Sequence, residues 1–141
     1  MKLVVDSNIL FSIVVSGERS KAYEGIRNHS LILYFPEEGL LEFRKHKNKL
    51  EEHSEEFELR SFIAFSLVHV IPFEVYRDKI SEAYTIAREF DERDTPFIAL
   101  ALKLGIPVWS GDRKMIEYGQ NSGKFRAIDT ASLKNILAEQ G

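Results

Sequence analysis

Short apolar runs alternate along this chain with longer segments whose apolar residues recur every three or four positions. Residues 2–5, 31–35, 67–71, 107–110 and 125–128 have the length and composition of strands. Pro36 and Pro72 close the second and third, and Pro107 fits only at the start of the fourth. Between the strands, residues 8–15, 19–28, 37–48, 52–66, 74–90, 95–104, 113–118 and 131–139 carry helical periodicity. A turn at Ser16-Gly17 separates the first two, and Gly105 is placed to end the helix before Pro107. Strands that alternate with helices imply right-handed crossovers and a sheet covered on both faces. Near-continuous apolar strands fit that burial. The expected fold is therefore α/β, a three-layer α/β/α sandwich around a five-stranded, mostly parallel sheet. Repeats, low-complexity stretches and linkers are absent, so residues 1–141 read as a single domain.

Composition narrows the chemistry. There is no cysteine, which excludes a disulfide scaffold, a thiolate zinc site and a thiol nucleophile. The apolar start breaks at Asp6 and no run is long enough to span a bilayer, so the expected setting is soluble and cytoplasmic, without a membrane. The net charge of −3 means that any nucleic-acid contact must come from a local patch.

In such a sheet ligands bind beyond the carboxyl ends of the strands, where strand order reverses. Asp6 follows the first strand, and Asp112 follows Val108-Trp109-Ser110-Gly111 in the equivalent place. Asp94 begins the apolar helix that leads into that fourth strand. Glu42 lies on the helix after the second strand, between Leu41 and Phe43. Each acid has a plainer alternative: Asp6, Asp94 and Asp112 are all placed to cap helices, and Glu42 to be a surface charge.

These segments resemble the PIN domain family, including its VapC-like toxin ribonucleases. The resemblance is carried by Val4-Val5-Asp6-Ser7-Asn8, by Leu40-Leu41-Glu42-Phe43, by the block from Asp91 to Leu102, and by Gly105 to Asp112. It implies the same α/β/α fold and a Mg²⁺- or Mn²⁺-dependent ribonuclease whose acidic positions fall on Asp6, Glu42, Asp94 and Asp112. The small polar position after the first acid falls on Ser7, with Asn8 beside it. Glu37 and Glu38 compete with Glu42 for the second acid, and Asp91, one helical turn before Asp94, is an additional candidate. The resemblance further implies a homodimer and, for a toxin, a neutralising antitoxin protein.

Electrostatics agrees with a metal role. Two unit charges about 4 Å apart repel by roughly 4 kcal/mol at an effective dielectric of 20, so converging acids call for a cation. Oxygen-only ligands favour a hard ion. The histidines, His29, His46, His53 and His69, show no i,i+4 pair, which argues against zinc. RNA contacts are expected from Arg44, Lys45 and Lys47 in the basic run after Glu42, and from Arg113 and Lys114 beside Asp112; a solvated helix end is the plainer reading of the run. Trp109 reads as core. A receiver-like phosphoacceptor would need an acid after the third strand, where Pro72-Phe73-Glu74 stands. A haloacid-type phosphatase would need a second acid where Asn8 stands. The alternative that survives is a catalytically inactive PIN-like module that binds RNA or protein.

Overall fold

The computed structural model describes residues 1–26 and 31–140. In chain order the elements are β1 (Lys2–Val5), α1 (Ser7–Ser16), α2 (Lys21–Ile26), β2 (Ile32–Pro36), α3 (Gly39–His53), α4 (Phe57–Ser66), β3 (Val68–Ile71), α5 (Phe73–Tyr76), α6 (Ile80–Ala87), α7 (Thr95–Leu104), β4 (Val108–Trp109), α8 (Arg113–Ser122), β5 (Ala127–Ile128) and α9 (Thr130–Gln140). Single 3₁₀ turns at Gly17–Arg19, Arg77–Lys79 and Glu92–Asp94 join some of them.

The strands form one five-stranded sheet in the order β3-β2-β1-β4-β5. Every pairing is parallel, so the expectation of a mostly parallel sheet in an α/β/α sandwich holds in its strictest form. The chain lays β2 and β3 on one side of β1, then returns through α5 to α7 and lays β4 and β5 on the other. Strand order therefore reverses between β1 and β4, and a crevice opens beyond their carboxyl ends. Leu3, Val4, Val5, Val108 and Trp109 are all buried, as strands covered on both faces require. Trp109 is core, with its indole N–H donating to Thr130 Oγ at 3.0 Å. Backbone pairing runs past the strand ends: Val4 N–H donates to the Pro107 carbonyl and Asp6 N–H to that of Trp109, each at 2.9 Å.

Several boundaries differ from the sequence pattern. Pro36 is the last residue of β2 and pairs with Ile71. The helix expected over 37–48 runs on to His53, because Leu50 turns inward and is buried. It stops where the Ser54 hydroxyl donates to the Val14 carbonyl. The helix expected over 74–90 is divided at Arg77–Lys79 and ends at Ala87, where the Asp91 amide closes on the Ala87 carbonyl at 2.7 Å. Of the helix expected over 19–28, Arg19 lies in a 3₁₀ turn and Lys21–Ile26 is helical; Arg27 and Asn28, like His29, lie outside the described residues.

Candidate functional site

The end of β1 delivers Asp6 into the crevice as the N-cap of α1. Its side chain is buried, at 5% exposure, and both oxygens are engaged. Oδ1 accepts from Ser7 N–H at 2.8 Å; Oδ2 accepts from the Ser110 hydroxyl at 2.6 Å and from the Asn8 amide at 3.3 Å. Ser110, at the end of β4, is fully buried. Its hydroxyl also accepts from Asp112 N–H at 2.9 Å, so one hydroxyl fixes both strand-end acids. Asn8 makes a second tie between the strand ends, with its side-chain oxygen accepting from Gly111 N–H at 3.1 Å. Asp112 caps α8 by accepting from Lys114 N–H at 3.0 Å. For Asp6 and Asp112 the capping reading is thus correct and compatible with a place in the crevice.

The other two acids come from helices. Glu42, in the first turn of α3, accepts from the Ser7 hydroxyl at 2.7 Å. Glu37 accepts from the Phe73 amide and Glu38 from the Tyr76 hydroxyl, so neither competitor is directed at this site. Asp94 stands at the N-cap position of α7 but makes no capping hydrogen bond, since its backbone is not in the extended capping conformation. Asp91 caps the preceding turn, and its carboxylate is held by Arg93 through Nε at 3.0 Å and Nη2 at 2.8 Å.

Asp6, Ser7, Asn8, Glu42, Asp91, Asp94 and Asp112 all line one cleft of about 470 Å³. The structure therefore brings together all four acids and all three accessory residues selected from the sequence. It does not bring the selected cations with them. Arg44 and Lys47 line a separate depression that also holds Glu51 and Glu58, and Lys45 and Lys114 are exposed outside the cleft. Arg113 pairs with Asp129 at 3.5 Å. The cations and imidazoles that do line the cleft are His46, Lys49, His53 and Arg93. Ser110 was also missed, although a hydroxyl at the end of β4, in parallel register beside β1, could have been read as facing Asp6.

The electrostatics show how crowded the site is. Burial, reinforced by Glu42 and Asp112, lifts the Asp6 carboxyl to about 6, while the bonds from Ser110 and Ser7 pull the other way. Ionising Asp6 in the folded protein therefore costs on the order of 3 kcal/mol more than in the unfolded chain. Asp94 is lifted further, to about 8, by burial and then by the charges of Asp6, Asp91, Asp112 and Glu42. Asp91 lies below the usual carboxylate range because Arg93 holds its charged form. Even so, no three Asp, Glu or His side chains among the described residues are close enough together to hold a metal ion as they stand. The site is an all-oxygen donor set under mutual repulsion, with its acids approaching but not closed into a ligand shell. In donor chemistry and in uncompensated charge it fits a hard divalent cation.

A family model described as the PIN domain matches residues 4–134. The chain belongs to the PIN domain family. The match spans both strand-end acids, Glu42 and Asp94. No curated protein matches the chain. Among solved structures, a chain of VapBC2 from Rickettsia felis, crystallised with a DNA fragment from their promoter, is 13% identical. It superposes with a TM-score of 0.65 over 92% of this chain and 98% of its own. At that identity the likeness concerns the fold. No helix of the described residues is long and apolar enough to cross a membrane.

Proposed function

We propose that this PIN domain acts as one catalytic unit over residues 1–141 and is a Mg²⁺- or Mn²⁺-dependent endoribonuclease. The observation that carries the reading is the convergence of Asp6, Glu42, Asp94 and Asp112 on one cleft, with Asp94 raised by burial and then by the charges of Asp6, Asp91, Asp112 and Glu42. Those four would hold the cation, with Asp91 accessory once released from Arg93. A bound divalent ion supplies activation of water and stabilisation of the negative charge that develops at the phosphodiester. The chain's residues do the rest. Ser110 and Asn8 keep Asp6 in a fixed orientation, Ser7 aims Glu42 into the cleft, and burial excludes competing water from Asp6. No protein nucleophile is required.

We further propose a cytoplasmic, homodimeric toxin neutralised by an antitoxin protein; the fold likeness to VapBC2 supports the antitoxin partner. Co-expression with the product of a neighbouring small gene, followed by co-purification and loss of cleavage, tests it. One observation favours the alternative of a module that binds RNA or protein without cutting: the acids do not already form a closed ligand set.

Cleavage decides between the two. The wild-type chain should cut a broad panel of RNAs in Mn²⁺ and not in EDTA, and Asp6→Asn should abolish cutting while keeping its melting transition. Intact RNA throughout, in the presence of Mn²⁺, would give the protein to the binding alternative.

A further inference from the structure

Glu42, His46, Lys49 and His53 are spaced by four, three and four residues along α3, so they share one face of that helix. All four line the acidic cleft. At 1.5 Å per residue the face runs about 16 Å from Glu42 at the acids to His53 at the far end. Phe11 of α1 closes the floor beneath it, with its ring edge-on to His46 at a centroid distance of 5.9 Å. Lys49 has no ion-pair partner among the described residues, although acidic residues are plentiful on this surface. The opposite side of the same helix is different, since Arg44 and Lys47 share their depression with Glu51 and Glu58.

An unpaired ammonium and two imidazoles in a row, beginning at a cluster of carboxylates, suit a polyanion with regularly spaced charges. A divalent cation at the acids, as the nuclease reading has it, selects RNA over an acidic peptide. We propose that the His46–Lys49–His53 face of α3 grips the phosphate backbone of single-stranded RNA next to the bond held at the acids. The inference rests on the nuclease reading for the identity of its ligand. Lys49 supplies the charge, His46 and His53 supply N–H donors, and Phe11 offers an apolar edge to a base. It moves the RNA contact away from Arg44 and Lys47, on the same helix but turned to another side.

The test compares charge with charge. A fluorescent single-stranded RNA is titrated in Mg²⁺ with the full chain carrying Asp6→Asn, alone or with Lys49→Ala or Lys47→Ala. Both added changes remove one exposed positive charge and no packing. Lys49→Ala should weaken binding at least threefold, and should shrink the loss of affinity between roughly 50 and 200 mM salt by about threefold, the share of one phosphate contact on a single strand. Lys47→Ala should leave both unchanged, and His53→Ala should fall between them. Equal effects from Lys49→Ala and Lys47→Ala, or no RNA binding at all, would overturn the proposal. Wild-type cleavage in Mn²⁺ is scored separately. Cutting without face-specific binding sinks this inference alone, whereas face-specific binding without cutting sinks the nuclease reading and leaves the inference standing.

Discussion

The two sides of the acidic cleft are built differently. On the sheet side, Asp6 and Asp112 continue strands β1 and β4 and are joined through the Ser110 hydroxyl. On the helix side, Glu42 is tied by one bond from Ser7 and Asp94 by no capping bond. Asp6 is the more deeply buried of the central pair, yet its carboxyl stays near 6 whereas that of Asp94 reaches about 8. Burial alone would order them the other way. The difference is hydrogen bonding, because donors to Asp6 offset its desolvation while Asp94 meets four carboxylates with no such donor among the described residues. The sheet side is fixed by hydrogen bonds, whereas Asp94 on the helix side carries repulsion that no such bond offsets among the described residues.

Substituting Asp94 should give the largest effect that separates the two sides. Asp94→Asn is expected to cut RNA cleavage by a hundredfold or more, beyond the roughly 10–100-fold typical of residues that only orient metal ligands. The same change should raise the melting temperature of the metal-free protein at pH 8 by about 5–10 °C, since relief of a few kcal/mol shifts a domain of this size by that order. A fall of several degrees would mean that Asp94 mainly supports α7. Ser110→Ala acts on the sheet side and should weaken Mn²⁺ binding by about 10–100-fold, measured by calorimetry. Unchanged affinity would mean that β1 geometry alone positions Asp6. Ser7→Ala should have the smallest effect, a loss of cleavage of about tenfold or less, because Glu42 keeps its place on α3.

The pH dependence follows with a definite sign. Asp6 and Asp94 have folded values above the ordinary carboxylate value of 3.8. Their contribution to stability is complete below about pH 4 and is lost as pH rises, through about 6 for Asp6 and about 8 for Asp94, after which the loss levels off. Asp78, Asp91 and Asp129 are depressed and act oppositely, losing stability only below about pH 4. Metal-free protein should therefore be more stable near pH 5 than at pH 8 in thermal melts, and Asp94→Asn should remove most of that slope.

Asp6 and Asp112 were legible because a parallel sheet presents whatever follows its strands to one crevice. The choice of Glu42 over Glu37 and Glu38 was not, since it depends on Ser7, Phe73 and Tyr76, partners distant in sequence. Lys49 and His53, which line the cleft, were hidden by a helix boundary. With the helix ended at Asn48, Lys49 and His53 could not be placed on the face of Glu42; buried Leu50 carries α3 on to His53. Ser110 escaped notice because a hydroxyl acting through an acid 104 residues away leaves no local pattern.

If these acids hold a divalent cation as proposed, Mn²⁺ should stabilise the fold against heat in a pH-dependent way. Saturating Mn²⁺ should raise the melting temperature of the wild-type chain, more at pH 8 than at pH 5 because protons compete for Asp94 and Asp6. The rise should vanish in Asp6→Asn. An equal rise in Asp6→Asn, or none in the wild type at pH 8, would rule out a divalent-cation site at these acids.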